Sequence, residues 1–206
     1  MTEITPSVPH EPTRFSVAAY FRLMETGEMT ERDRVELLEG VIVAMTPMNP
    51  PHAGSVTKVS RALLAAVGAR ASVRTQCSLI VRPRSVPEPD VAVVAGCDDD
   101  YLHAHPESAL LVVEVADSSL PQDRLSKARI YAQAAIPEYW IVNLRDSVLE
   151  VMRDPDPVAA LCRDLRILRA GDHIDVVAMP GASVAVADML PRISPATEIE
   201  DRPTGA

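Results

Sequence analysis

Two acidic residues stand where carboxylates are costly to place. Glu114 interrupts the apolar run Leu110-Leu111-Val112-Val113-Glu114-Val115, and Asp90 sits at the mouth of another, Pro89-Asp90-Val91-Ala92-Val93-Val94. A strand as apolar as the first is expected to be covered on both faces. An ionised carboxylate inside it is unfavourable unless it is paired, protonated or bound to a cation. The separation of 24 residues suits a loop between neighbouring strands, which would carry both acids to one sheet edge. There they could ligate Mg2+ or Mn2+, hard cations that prefer oxygen donors, or act as an acid/base pair. The plainer alternatives are that Asp90 caps the turn after its proline and that Glu114 is the structural partner of an arginine. Gln76, on the strand before Asp90, is placed to enter the same cleft.

Lys127 follows in Gln122-Asp123-Arg124-Leu125-Ser126-Lys127-Ala128-Arg129-Ile130-Tyr131. On a helix it shares a face with Ile130, Tyr131 and Ala134, and an inward ammonium could meet both acids and a phosphate. The opposite stripe, Leu125, Ala128 and Ala132, is also apolar, so periodicity leaves both orientations open. Spacing alone favours a surface lysine with its stem laid on apolar neighbours.

These residues need elements to hold them. Phe15–Ser16 opens a helix to about Glu25, with Ser16 as N-cap and Val17, Tyr20, Phe21 and Met24 on one face. Arg34 to Met45 reads as two short strands around Glu39–Gly40, and Ser55–Ala69 as a helix whose stripe is Val56, Val59, Leu63 and Val67. Val73–Val81, Val91–Val94 and Leu110–Val115 read as strands, and Gln122–Ala135 as a third helix. A hairpin follows over Glu138–Leu144 and Ser147–Met152, and the rest, through Leu190, is expected to add strands at one sheet edge. Strand, helix and strand over 110–142 imply a mixed α/β sheet flanked by helices.

Composition narrows the function classes. The 206 residues are 47% hydrophobic and 24% charged, enough for one folded domain over about 15–190. Tails are expected at 1–14 and 195–206, which lack periodicity. The net charge of −9 excludes a histone-like basic binder but not a local basic cleft. From His52 to Asp90, Lys58, Arg61, Arg70, Arg74, Arg82 and Arg84 face only two acids, Glu88 and Asp90, which favours nucleic acid as partner. No apolar run reaches the roughly 20 residues that span a bilayer, so no membrane partner is expected. Cys77, Cys97 and Cys162 form no C-x-x-C, which points to a reducing cytoplasm. Asp98-Asp99-Asp100 with His103 and His105 reads as a solvated loop, Ser118 and Ser119 lack a nucleophile-elbow context, and no phosphate-cradling glycine motif occurs.

Arg34-Val35-Glu36-Leu37-Leu38-Glu39-Gly40, Met45-Thr46-Pro47, His52, Pro89-Asp90-Val91, Leu111-Val112-Val113-Glu114-Val115, Lys127 with Tyr131, and Ile136-Pro137-Glu138-Tyr139-Trp140-Ile141-Val142 come in an order that resembles the Uma2 family. The likeness runs from Phe15 to Arg153 and more weakly to Leu190. It implies a restriction-endonuclease-like PD-(D/E)xK fold, an αβββαβ core with extra strands at both ends. Carried over by motif, Asp90 and Glu114 would be catalytic acids and metal ligands, and Glu36 a further acid. His52 would be auxiliary, contacting phosphate or acting as a base. The lysine that usually follows the acid by two residues is here Ala116, and Lys127 would replace it from the next helix. Where family members often carry Ser-Pro-Ser-Thr, this chain has Asp117-Ser118-Ser119-Leu120. The activity implied is Mg2+- or Mn2+-dependent hydrolysis of DNA phosphodiester bonds, by a homodimer because two strands favour two sites. The alternative is a non-catalytic nuclease-fold accessory that binds nucleic acid or protein.

Overall fold

The structure is a computed structural model that describes residues 14–191. Of the tails expected at 1–14 and 195–206, residues 1–13 and 195–206 lie outside the described residues. Arg14, counted with the first tail, donates from its guanidinium to the Glu39 carbonyl at 2.7 Å.

Helix α1 (Val17–Glu25) starts at Ser16, whose hydroxyl accepts from the Ala19 amide, and packs Val17 and Tyr20 against Leu37 and Val86. Strands β1 (Val35–Leu38) and β2 (Val41–Ala44) form a hairpin of their own. Helix α2 (Pro50–Val67) begins ahead of the Ser55 expected from its apolar stripe. The Asn49 side chain caps it by accepting from the His52 amide at 2.9 Å. Pro50 and Pro51 fill its first turn, where a missing N–H costs nothing.

Strands β3 (Ser72–Thr75), β4 (Val91–Val94), β5 (Leu111–Ala116), β6 (Glu138–Asn143), β7 (Val148–Asp156) and β8 (Leu161–Leu168) form one six-stranded sheet in that order. Only β5 and β6 pair in parallel, and the helical segment between them makes the crossover. That segment, here α3, runs as Leu120–Gln122, a π-helical Asp123–Lys127, and Ala128–Gln133. This is the expected α/β mixed sheet flanked by helices.

Three expectations change. The strand expected over Val73–Val81 stops at Thr75 because Gln76 takes a positive φ of 51°. The third helix begins at Leu120, not Gln122, and is not regular α. At the C-terminal end only β8 extends the sheet. β9 (His173–Asp175) and β10 (Ser183–Ala185) pair with each other and pack Ile174 and Val184 with α2 on one sheet face.

Alternation along β4 and β5 sorts the core. Val91, Val93, Leu111 and Val113 face Val56, Val59 and Leu63 of α2. Ala92, Val94 and Val112 face Ile130 and Tyr131 of α3. Glu114 falls in the second register, so its carboxylate lies under α3. Among the described residues no helix is long and apolar enough to cross a membrane.

Candidate active site

The antiparallel register Val91↔Val113 sets Asp90, the residue before β4, opposite Glu114. The two are locked together: the Asp90 amide donates to Glu114 Oε2 at 3.4 Å, and the Val115 amide donates to Asp90 Oδ2 at 2.8 Å. Both side chains are buried, as are those of Glu36 and Lys127.

From above, α3 lowers two donors onto Glu114 Oε1, the Lys127 ammonium at 3.0 Å and the Tyr131 hydroxyl at 2.8 Å. Lys127 is only 7% exposed and also stands 3.5 Å from Glu36 Oε2. The inward orientation therefore wins over the surface lysine favoured by spacing. Burial opposes its charge, but Glu114, Glu36 and Asp123 more than compensate and hold the ammonium well above its ordinary pKa.

The remaining candidates close the ring. His52, in the first turn of α2, puts Nε2 3.2 Å from Asp90 Oδ2. That hydrogen bond raises the imidazole pKa against the opposing effect of burial. The turn at Gln76 brings its amide to Asp90 Oδ1 at 3.4 Å. Glu36 in β1 accepts from the Glu88 amide at 3.3 Å. All six predicted residues line one cavity of about 90 Å3.

Sequence reasoning missed Asp123 and Glu88, which line the same cavity. Asp123 is 2% exposed, and burial lifts its carboxyl to about 6. It stands four residues before Lys127, the spacing of one helical face, and that signal was available. Burial also raises Glu88. Glu114 is pushed up to about 8 by burial, with Lys127 pulling it down and Asp90, Asp123 and Glu36 pushing it further up. Six acids, Glu36, Glu88, Asp90, Glu114, Asp117 and Asp123, thus line the cavity with one ammonium, the Arg34 guanidinium and one imidazole.

Among the described residues no three His, Cys, Asp or Glu side chains converge as a ready-made metal centre. Mg2+ does not require one, since it commonly takes one or two carboxylates and completes its shell with water and substrate phosphate. The all-oxygen donors and the excess of carboxylates fit such a cation. The acids of Asp98–Tyr101 do not take part: Asp100 caps its own turn through the Cys97 amide, and His105 stacks on Phe21.

The chain matches the model of the Uma2 family, described as "Putative restriction endonuclease", over residues 17–187. It belongs to the Uma2 family. A solved structure from Anabaena variabilis ATCC 29413, described as a putative nuclease belonging to DUF820, shares the fold with a TM-score of 0.66 at 11% identity. The match covers 85% of this chain and 97% of that one. No curated protein matches.

In this Uma2 chain the position two residues after Glu114 is Ala116, buried in the α3-facing cluster. The lysine that reaches Glu114 comes from α3. The Asp117–Leu120 loop is pinned at the cavity mouth, where Asp117 accepts from Asn49 at 3.0 Å and from Arg145 at 3.4 Å. The basic stretch between His52 and Asp90 does not form one face beside the site. Arg70 closes the end of α2 through the Ala66 and Val67 carbonyls, Arg74 covers the Tyr101 ring, and Arg82 pairs with Glu107.

Proposed function

We propose that the chain is a divalent-metal-dependent endonuclease that hydrolyses DNA phosphodiester bonds with Mg2+ or Mn2+, working as a homodimer so that each strand meets a site. The observation that carries this reading is the convergence of Asp90 and Glu114 under Lys127. Asp90 and Glu114 would hold the cation, with Glu36 and Asp123 adding negative charge around it. A cation bound there supplies charge relief at the scissile phosphate and acidifies the attacking water.

The chain's own residues do the rest. Lys127 and Tyr131 both grip Oε1 of Glu114, which leaves Oε2 only its long contact with the Asp90 amide. Lys127 is placed to stabilise charge that develops on the phosphate. His52, its pKa raised, can donate to a phosphate oxygen or exchange a proton at Nε2. Glu36 steadies the ammonium from the other side, and Gln76 orients Asp90.

The test is calorimetric titration of Mg2+ and Mn2+ into the wild type, Asp90→Ala and Glu114→Ala, with plasmid nicking on the same samples. Binding and nicking should both disappear in the variants. A wild type that binds neither cation, with variants of equal or greater stability, would leave a non-catalytic nuclease-fold accessory.

A further inference from the structure

A second concavity, of about 500 Å3, gathers Arg14, Arg82, Arg84 and Arg129 around Glu39. The four arginines come from four separate places: the lead into α1, the two sides of Pro83, and α3. Gly40 makes the approach possible. At its φ of +84° a Cβ would lie 2.6 Å from Arg14 Cβ. Without one, the Gly40 carbonyl accepts from the Phe15 amide at 2.9 Å and its amide donates to the Arg84 carbonyl at 2.6 Å. Arg129 pairs with Glu39, and Arg82 with Glu107 outside the concavity. Among the described residues the Arg84 guanidinium pairs with no carboxylate. Four arginines against Glu39 and Glu107 leave a net positive spot on a chain of net charge −9.

Two elements join this spot to the candidate active site. The ribbon of residues 36–40 against 84–88 runs from Glu36 and Glu88 at the cavity to Gly40 and Arg84 at the arginines, tied by Leu37 and Val86. Four residues of strand span about 13 Å, the length of about four base-pair steps along a duplex axis at ~3.4 Å each. Helix α3 does the same, with Lys127 at the cavity and Arg129 and Gln133 at the arginines. We infer that the arginine concavity grips backbone phosphates of the nucleic-acid strand whose scissile bond lies at Asp90 and Glu114. This rests on the nuclease reading above and adds a subsite to it. Guanidinium forks match phosphate oxygens, and the Arg82 and Arg129 side chains remain 63% and 49% exposed.

The test is fluorescence anisotropy of a labelled DNA duplex over a salt series, with and without Mg2+, for the wild type and Arg84→Ala/Arg129→Ala. The double variant should bind at least tenfold more weakly. Its slope of log K against log salt should flatten by about 2, at ~0.9 for each phosphate that an arginine no longer neutralises. Arg84→Gln alone removes no internal ion pair and should flatten the slope by about 1, so it serves if the double variant folds poorly. Wild-type binding that the substitutions leave unchanged in strength and slope overturns the subsite and leaves the nuclease reading standing. Arginine-dependent binding without nicking in Mg2+ supports the subsite while the hydrolytic reading fails. Absence of duplex binding, with inorganic phosphate still stabilising the wild type through these arginines, assigns the spot to free anions and overturns the inference.

Discussion

Glu114 is the residue on which the site turns, because its buried carboxyl relies chiefly on Lys127 and Tyr131 for partners. Its folded-state pKa of about 8 exceeds the ordinary 4.5. The folded chain therefore holds this proton more tightly than the unfolded chain, and Glu114's contribution to stability declines as pH rises from about 4.5 to about 8. Lys127→Met removes the charge that pulls this carboxyl down, so its pKa rises further and the decline extends above pH 8. Metal-free urea unfolding should show a loss about 2–3 kcal/mol larger at pH 10, where wild-type Glu114 is ionised, than at pH 5, where it is protonated, at ~1.4 kcal/mol for each pH unit above its folded pKa. Equal losses at the two pH values would mean that the ammonium does not hold the carboxylate. Tyr131→Phe keeps the ring packed on Tyr139, 4.9 Å away, and removes one buried donor to Glu114. Its expected cost is about 1–3 kcal/mol, read from the denaturation midpoint; a midpoint equal to wild type would show that Lys127 alone satisfies Oε1.

At the scale of elements, what could be read in advance depended on regular periodicity. The runs at Val91–Val94 and Leu110–Val115 are apolar but for Glu114, and the strands that form there, Val91–Val94 and Leu111–Ala116, are buried on both faces. Asp90 and Glu114 were visible because they break such runs. Lys127 was ambiguous because a helical wheel assumes α geometry throughout, whereas Asp123–Lys127 is π-helical, with the Ala128 amide reaching back to the Asp123 carbonyl. The π segment turns Asp123 and Lys127 inward and leaves Leu125 71% exposed, and no local composition announces it. The β3 break at Gln76 was equally silent, since glutamine carries no turn signal.

A clasp holds the π segment. Arg124 donates through Nε and Nη2 to the buried Glu150 carboxylate, which also accepts from Asn143. Arg124→Ala should cost about 1–2 kcal/mol, less than a fully buried pair because the guanidinium is half open to water. It should also lower hydrogen-exchange protection at the Ala128 amide more than in β6. Unchanged protection at Ala128 would show that the π geometry is set by packing alone.

Over the whole molecule the charge is divided into an acidic cavity and an arginine spot joined by one ribbon and one helix. This partition was hidden in the chain, because the arginines that converge are 14, 82, 84 and 129, whereas Arg70 and Arg74 of the same basic run close a helix end and cover a ring. The acidic half has a thermodynamic consequence. A divalent cation that binds only the folded cavity stabilises the fold by mass action, about 2.7 kcal/mol at a hundredfold excess over Kd. For a chain of this size that corresponds to a rise in Tm of roughly 5–10 °C, at ~2–4 °C per kcal/mol. The measurement is thermal unfolding with Mg2+ against NaCl at matched ionic strength, repeated on Asp90→Ala/Glu114→Ala. Relief of repulsion among exposed acids would respond to both salts and persist in the variant, because screening does not require a particular pair of carboxylates. Binding at the cavity would respond to Mg2+ and vanish when Asp90 and Glu114 are removed. A shift of the same size in the variant would therefore place the cation elsewhere and remove the metal from the proposed chemistry.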